Sequence, residues 1–188
     1  MNKDKEKWNE KYLKEDFPWD SPSEIVEKFY RFAPEGKALD IACGLGRNSI
    51  FLAEKGFQVD AVDISDVALK KLQGKKHINP IEADLDIYNI EKNRYSLIIN
   101  INYLNRRLFP QIKEGLINGG VLIFETFTLH EEEGFMHPKN RDFLLRKNEL
   151  LHSFCDMYII YYQEKVVTKP DGEKAFISSL VAKKECTL

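Results

Sequence analysis

The stretch that decides the fold is Ala38-Leu-Asp-Ile-Ala-Cys-Gly-Leu-Gly-Arg47, which is followed closely by Asp60-Ala-Val-Asp63. Its apolar residues favour a short buried strand, and Gly44 and Gly46 favour a turn that lets a ligand approach the backbone. A helix and a second strand are then predicted, and the strand ends at Asp63, 19 positions after Gly44. This order of strand, glycine turn, helix and strand with a terminal acid is typical of a nucleotide-binding fold.

Two residues of this stretch favour S-adenosylmethionine over a dinucleotide as the ligand. A dinucleotide fingerprint has a third glycine three residues after the second, and that position is Ser49 here. Asp40 precedes the turn, where a carboxylate would repel a pyrophosphate but attract an ammonium or a sulfonium. S-adenosylmethionine carries both of these cations and no phosphate.

The segment Asp40-Ile-Ala-Cys-Gly-Leu-Gly46 resembles the first motif of the class I S-adenosylmethionine-dependent methyltransferases, an acid followed by alternating glycines. Ala42 occupies the first glycine position, which is a departure from the pattern. The longer match resembles the small bacterial methyltransferases related to the tellurite-resistance and thiopurine enzymes. It extends over Gly44-Leu-Gly-Arg-Asn48, Leu52-Ala-Glu-Lys-Gly56, Val59-Asp-Ala-Val-Asp-Ile-Ser65, Trp8 to Tyr12 and Glu125-Thr-Phe-Thr128.

The resemblance implies an α/β fold: a Rossmann-like, doubly wound, seven-stranded and mostly parallel sheet with an antiparallel C-terminal hairpin strand, plus N-terminal helices. The residue pattern agrees, because strand and helix signals alternate from Lys37 onward. Two β-rich runs then flank Thr168-Lys-Pro-Asp-Gly172, a strong turn signal. We expect a single methyltransferase domain over residues 1–188, with a helical cap over 1–35 and the Rossmann-like core over 36–188.

Length and composition narrow the class of protein. A chain of 188 residues with 43% hydrophobic residues is typical of one globular domain. The formal net charge of −2 gives no reason to expect nonspecific nucleic-acid binding. Three scattered cysteines fit neither a disulfide framework nor a zinc site, and no apolar run is long enough for a membrane span. We therefore expect a cytoplasmic enzyme without membrane, metal or nucleic-acid partners, whose oligomeric state stays open.

The N-terminal region predicts two helices. Residues 1–16 place Trp8, Tyr12 and Leu13 on one side of an amphipathic helix. This helix either packs on the domain or, as the resemblance implies, acts as a lid over the cofactor. A second helix is predicted over 23–32, with Ile25, Val26, Phe29 and Phe32 turned inward.

Further along the chain, a helix is predicted over 104–117. Asn118-Gly-Gly120 is then interpreted as the turn that ends this helix. The fifth strand is expected to follow over 121–127.

Cofactor contacts are expected outside the carboxyl ends of the strands, where sheets of this kind bind ligands. A carboxylate at Asp63 can accept hydrogen bonds from both ribose hydroxyls. Asp84 resembles the residue that accepts from the adenine amino group, and Asn100 resembles the position near the methionyl part. The predicted set for S-adenosylmethionine, and for its product S-adenosylhomocysteine, is Asp40, Ala42, Cys43, Gly44, Gly46, Asp63, Ile64, Asp84, Leu85 and Asn100.

The residues that perform catalysis are not fixed by the sequence. Tyr103, Arg106 and Arg107 follow the fourth strand, where this fold usually places its acceptor, and His137 is a candidate general base. Residues 125–128 end the fifth strand and can line the same mouth. His130 and His137 have acidic residues between them, but their spacing does not fit a metal site.

The main functional hypothesis is methyl transfer to a small-molecule acceptor. Methylation of RNA or protein is a second hypothesis, which predicts a basic or aromatic surface beside the pocket. A third is a non-enzymatic protein that binds S-adenosylmethionine, which predicts a blocked pocket on the methyl side. The fold alone does not separate these three.

Overall fold

A seven-stranded sheet runs through the computed structural model, which describes residues 2–14, 21–130, 135, 138–168 and 172–185. In the described part of the chain the strands follow the order β3-β2-β1-β4-β5-β7-β6, and β7 is antiparallel to both of its neighbours. This confirms the predicted mostly parallel sheet with an antiparallel C-terminal hairpin strand. The strands are β1 Lys37–Ile41, β2 Gln58–Asp63, β3 Ile78–Glu82, β4 Tyr95–Ile101, β5 Leu116–Phe127, β6 Tyr158–Thr168 and β7 Lys174–Lys183.

Helices cover both faces of the sheet. One face packs a buried apolar cluster that includes Val26, Leu52 and Leu97, and the opposite face packs a cluster that includes Leu108 and Phe154. All seven residues of β4 are buried, as expected for a central parallel strand covered on both sides. The helices are α1 Asn2–Lys14, α2 Glu24–Phe29, α3 Arg47–Glu54, α4 Asp66–Lys70, α5 Leu108–Gly115 and α6 Glu149–Ser153, with 3₁₀ turns at Tyr30–Phe32 and Arg141–Phe143.

The order of the strands reverses between β1 and β4. The chain moves outward from β1 to β2 and β3, and it then returns to place β4 on the other side of β1. Connections on either side of such a point diverge, which leaves a crevice outside the carboxyl ends of the two strands. The crevice is where a ligand of this fold is expected to lie. Among the described helices, none is long and apolar enough to cross a lipid bilayer.

The interpretation of Asn118-Gly-Gly120 as a helix-ending turn is wrong. α5 ends at Gly115, and these three residues belong to β5, which begins at Leu116. Leu116 pairs with Tyr95 of β4, and the register shifts before Val121 pairs with Leu97. Gly119 takes a positive φ of 79° in this irregular stretch and donates its N–H to the carbonyl of Lys184. The glycines therefore accommodate a bulge within a strand.

Two apolar side chains of the N-terminal region do not point inward as predicted. Leu13 is 73% exposed and Phe32 is 51% exposed. Phe32 follows the end of α2 in a 3₁₀ turn, whose tighter winding moves it off the buried stripe formed by Ile25 and Phe29. On α1, Trp8 instead stacks on Tyr12, with ring centroids 5.8 Å apart.

Gly46 and Gly74 provide a matched test of packing at the glycine turn. Both have positive φ, 79° and 74°, but a Cβ at Gly46 would lie 2.4 Å from Cδ2 of the fully buried Leu72. A Cβ at Gly74 would meet nothing within 4 Å. Both alanine variants should carry a strain of about 1 kcal/mol. Gly46→Ala should lower the free energy of unfolding by a further ~1–3 kcal/mol, because Leu72 has no free space into which to move.

Urea denaturation of the two variants measures this difference. Equal losses at the two positions would show that Leu72 does not confine the turn.

Candidate functional site

The predicted glycine turn joins β1 to α3, and three residues in it have left-handed backbone conformations. Ala42 and Gly44 both have φ of 55°, and Gly46 has φ of 79°. The turn is closed by the N–H of Cys43, which donates to the carbonyl of Val62 at 3.0 Å. Ala42 stands at the family's first glycine position, and it adopts there a conformation that side chains rarely take. The backbone of the motif is thus kept without that glycine.

Asp63 lies at the carboxyl end of β2 and joins the turn to the second strand. Its Oδ2 accepts from the N–H of Gly44 at 2.8 Å, and its Oδ1 accepts from the N–H of Ser65 at 2.9 Å. Burial raises the pKa of Asp63, while the hydrogen bonds from Ser65, Gly44 and Ile64 act in the opposite direction. Each carboxylate oxygen can accept a second hydrogen bond, so the carboxylate retains the capacity to accept from a ligand.

Asp40 is buried beneath the turn on the same edge. Its Oδ2 accepts from the hydroxyl of Ser49 at 2.6 Å. Burial raises the pKa of Asp40 to about 7; Asp63 raises it further, and Ser49 and Arg47 act against the rise. Ser49 replaces the third glycine of a dinucleotide fingerprint, and its hydroxyl here supplies a donor to the acid. The two departures from the dinucleotide fingerprint, Asp40 before the turn and Ser49 at the third glycine position, are therefore joined by a hydrogen bond.

The remaining predicted cofactor residues lie along the same edge. Asp84 and Leu85 follow β3, and Asn100 lies at the end of β4 beside Ile41 of β1. Asp84 accepts from the N–H of Asp86 at 3.0 Å. The side chain of Asn100 is fully buried, and within the described part of the chain neither its Nδ2 nor its Oδ1 has a hydrogen-bond partner. Because buried amides are nearly always paired, this one is suited to a partner from outside the chain.

Further buried polar side chains lie near Asn100. The hydroxyl of Thr126 is buried and, among the described residues, makes no hydrogen bond, and the buried hydroxyl of Ser178 lies close enough to Tyr162 to lower its pKa. Thr126 and Ser178 are opposite each other in the β5–β7 register. Side chains two residues apart on a strand face the same side of the sheet, so Thr126 shares the face of Phe124, and Ser178 shares that of Leu180. Asn100 shares the face of Ile98 for the same reason. Ile98, Phe124 and Leu180 belong to one core cluster, so all three polar residues lie on the same face. A row of buried polar side chains therefore extends from Asn100 on β4 across Thr126 on β5 to Ser178 on β7.

Tyr12 of α1 lies directly against the glycine turn. A Cβ at Gly44 would be 2.8 Å from the Tyr12 hydroxyl oxygen. Burial and the nearby Asp63 and Cys43 raise the pKa of Tyr12, so its hydroxyl stays protonated. The family resemblance implies a lid at α1, but no signal in the sequence predicts that this particular tyrosine reaches the turn.

Polar contacts hold α1 on the loop after β2. Asn9 donates from Nδ2 to Asp66 Oδ1 at 2.9 Å and accepts from the Ser65 hydroxyl at 2.6 Å. The Nζ of Lys5 lies 3.1 Å from Oδ1 of Asp66 and 2.6 Å from Oε1 of Glu82. The hydrogen bonds from Asn9, Lys5 and Lys70 hold the pKa of Asp66 well below its usual value. α1 therefore lies across the carboxyl ends of β2 and β3.

Of the described candidate acceptor residues, Arg107 lies near enough to Tyr103 to lower its pKa, whereas Arg106 is engaged elsewhere. Arg106 forms a bidentate ion pair with Glu149 and also donates to the carbonyls of Asp142 and Leu144. Arg106 thus anchors the segment before α6, and its guanidinium is directed to that segment.

Arg107 is similarly tied, through Asn89 and the carbonyls of Leu85 and Tyr88. Tyr103 is half-buried, and burial raises its pKa. His137 lies outside the described residues.

Comparison with known proteins supplies the family. The sequence model described as "Tellurite resistance protein TehB" matches residues 2–174. The chain belongs to the TehB family. It is 27% identical over 143 residues to a "Probable S-adenosyl-L-methionine-dependent methyltransferase TehB" of Haemophilus influenzae, a match that covers 69% of this chain and 49% of the relative. It is 29% identical over 121 residues to the "Putative methyltransferase YqeM" of Bacillus subtilis, covering 57% of this chain and 48% of that one.

The chain spans about half the length of the curated relatives it matches. Solved structures share its fold. The crystal structure of TehB from Haemophilus influenzae superposes with a TM-score of 0.71 at 23% identity, over 96% of this chain and 67% of that chain. A methyltransferase structure from Methanosarcina mazei superposes with a TM-score of 0.67 at 18% identity, over 89% of this chain and all of that chain. The class I methyltransferase fold inferred from the sequence is confirmed.

The buried carboxyl of Asp40 predicts a pH-dependent stability. Its pKa of about 7 in the folded protein lies above the usual value near 4. The stabilisation associated with the protonated acid is therefore complete below about pH 4 and is lost as the pH rises through 7. Asp40→Asn stays neutral, so the stability of the variant relative to the natural protein should rise by ~1–3 kcal/mol between pH 5 and pH 8.

Urea denaturation at several pH values measures this, with the exposed Asp4→Asn as control. A stability difference that stays constant with pH would contradict the prediction.

Proposed function

We propose that the chain is an S-adenosylmethionine-dependent methyltransferase that acts on a small-molecule acceptor. The observation that carries the proposal is the edge formed by the glycine turn, Asp63 and the unpaired amide of Asn100. The names of the TehB relatives and the family membership support the cofactor. Family and fold alone leave the acceptor open.

The residues present fit this cofactor. Gly44 carries no side chain, so a ligand can approach the backbone there when α1 opens and the Tyr12 hydroxyl moves away. Asp63 can accept from two ribose hydroxyls while it keeps its bonds to Gly44 and Ser65. Asp40 supplies negative charge for an ammonium, directly or through the turn. Asn100 can pair with the polar methionyl end, and Asp84 and Leu85 are placed to contact the adenine.

When bound, S-adenosylmethionine supplies a methyl group already activated on a sulfonium. The protein then has to orient the acceptor, exclude water and, where the acceptor requires it, remove a proton. We assign orientation of the acceptor to the polar side chains that line the cavity at the carboxyl end of β5. Exclusion of water is assigned to α1, because Tyr12 already covers the glycine turn.

A small acceptor is favoured over RNA or protein by the size of the space beside β5. The cavity there is half-open and has a volume of about 80 Å³, which suits one small group rather than a stretch of nucleic acid or protein. The formal net charge of −2 adds no general attraction for nucleic acid. Methylation of RNA or protein would be favoured instead if those substrates, but no small molecule, accepted the methyl group.

We also propose that α1 is a lid over the cofactor and part of a helical cap on a single domain. Asn9, Lys5 and Asp66 attach α1 through polar contacts, which water can replace when the helix opens. A helix of 13 residues is only marginally stable by itself in water, so loss of these contacts should release it.

The cofactor proposal is tested by the affinity for S-adenosylhomocysteine. Calorimetric titration should give micromolar binding and no binding of NAD. Asp63→Asn should weaken the binding by ~1.5–3 kcal/mol, because a charge-assisted pair of hydrogen bonds to the ribose is lost. Asp86→Asn, which changes an exposed acid in the loop after β3, should leave the affinity unchanged. Unchanged affinity in Asp63→Asn would remove the ribose role, and a preference for NAD would remove the methyltransferase assignment.

The lid proposal is tested with two neighbouring residues of α1. Asn9→Ala removes contacts to Ser65 and Asp66, whereas Glu10→Ala removes only an exposed pair with Lys14. Asn9→Ala should raise amide hydrogen exchange in α1 severalfold and speed the dissociation of S-adenosylhomocysteine, with global stability nearly unchanged. Faster exchange without faster dissociation would make α1 a packing helix only.

A further inference from the structure

A second polar site lies beside the carboxyl end of β5, on the sheet face that α2 covers. The cavity of about 80 Å³ has an apolar wall formed by residues that include Ile25, Phe29 and Ile177. Glu125 and Ser179 supply polar groups to it. The predicted cofactor contacts do not include any of these residues, so the cavity is additional to that set.

Glu125 is the half-buried acid among the residues that line this cavity, whereas Glu24 is exposed. Its Oε2 accepts from the Ser179 hydroxyl at 2.6 Å. Among the described residues, that hydroxyl is the hydrogen-bond donor to the carboxylate, and the cations Lys165 and Arg47 act on it through longer-range electrostatic attraction. Since a buried charge is costly unless it is paired, Glu125 is suited to a cation supplied by a ligand.

The charged groups around Glu125 do not supply a cation that pairs fully with its carboxylate. Lys28 and Lys165 line the cavity, but the Nζ of Lys28 lies over the Phe29 ring, 5.4 Å from its centroid. Burial raises the pKa of Glu125; Ser179, Lys165 and Arg47 act against this, and Glu24 acts with it. Burial thus affects the pKa of Glu125 more strongly than Lys165 and Arg47 do, so these two cations do not fully compensate the carboxylate.

The cavity lies next to the proposed cofactor edge. Asp40 and Glu125 are on the same sheet face, because their strand neighbours Ala38 and Ile123 belong to one core cluster. β4 alone separates their strands, and Glu125 lies two residues beyond Ile123, which is level with Asp40, so the two acids are about 12 Å apart. Arg47 lies close enough to both acids that each carboxylate raises its pKa.

We propose that this cavity takes the methyl acceptor, and that the acceptor is a small amine held by Glu125. The inference rests on the proposed function, which supplies the methyl group. An ammonium pairs with the carboxylate and fits against the aromatic wall, where cations are also favoured. An oxyanion acceptor would be repelled by the same carboxylate.

Glu125 also has a chemical task in this assignment. An ammonium has no lone pair, so one N–H bond must break before the nitrogen can react. The electron pair of that bond stays on nitrogen, and the proton joins the carboxylate of Glu125. A raised pKa suits the carboxylate to this task, because it narrows the difference in proton affinity between the two groups.

Binding of matched probes tests the inference without turnover. Benzylamine and benzyl alcohol have nearly the same size, and only the amine is cationic. Calorimetry on the natural chain should show benzylamine binding at least tenfold more tightly than the alcohol, with no binding of tellurite in this cavity. Glu125→Gln should abolish that preference, while Glu24→Gln, which changes an exposed acid at the rim, should change it less than threefold.

The outcomes separate this inference from the proposed function. Equal binding of amine and alcohol, or an unchanged preference in Glu125→Gln, overturns the amine assignment even when S-adenosylhomocysteine binds normally. Absence of S-adenosylhomocysteine binding overturns the proposed function by itself. Should Glu125→Gln fail to fold, Val167→Phe fills the cavity with its charges intact. That variant should lose benzylamine binding and keep S-adenosylhomocysteine binding, and retained benzylamine binding would place the amine elsewhere.

Discussion

The hydrogen bond from the backbone of Gly44 to the carboxylate of Asp63 connects the two halves of the binding edge. It ties the turn after β1 to the end of β2, and the second carboxylate oxygen holds the start of the α4 loop through Ser65. In the same turn Ala42 has φ of 55°, a conformation that residues with a side chain rarely adopt. One acid thus organises the backbone and, in the proposed function, also binds the ribose.

Buried carboxyl groups dominate the electrostatics of this edge. Burial raises the pKa values of Asp40, Asp63 and Glu125, and Arg47 is the cation that lies near both ends of the row. Such acids lower stability unless they are compensated. A ligand with a sulfonium and an ammonium, together with an amine acceptor, would supply the missing positive charge. The negative charge of the same carboxylates makes the edge unsuitable for a pyrophosphate.

The two N-terminal helices are attached by different forces. α2 buries Ile25, Val26 and Phe29 in the core cluster of its sheet face, so its position is fixed by apolar packing. α1 is held mainly by polar contacts to the α4 loop and by the Tyr12 hydroxyl, which lies against Gly44. Polar contacts can be exchanged with water at small net cost, whereas removing α2 would expose a large apolar surface. This difference makes α1 the element suited to open and close.

Local sequence by itself determined the sheet elements and the glycine turn, because apolar period, turn residues and the acid after β2 act over a few positions. It also indicated the ends of the strands that carry Asp40, Asp63, Asp84 and Asn100. The bulge at Asn118-Gly-Gly120 could not be read in this way, since its register depends on pairing with β4, distant in sequence. The same holds for Arg106, whose partner Glu149 lies 43 positions away.

Only the tertiary structure decided which polar groups are satisfied within the chain and which are left to a ligand. It brought the Tyr12 hydroxyl to Gly44, paired Ser49 with Asp40, and left the amide of Asn100 without a partner among the described residues. It also placed Glu125 in a cavity closed by α2, β6 and β7. Burial and hydrogen bonding are properties of packed surfaces from distant segments, so no local pattern in the sequence specifies them.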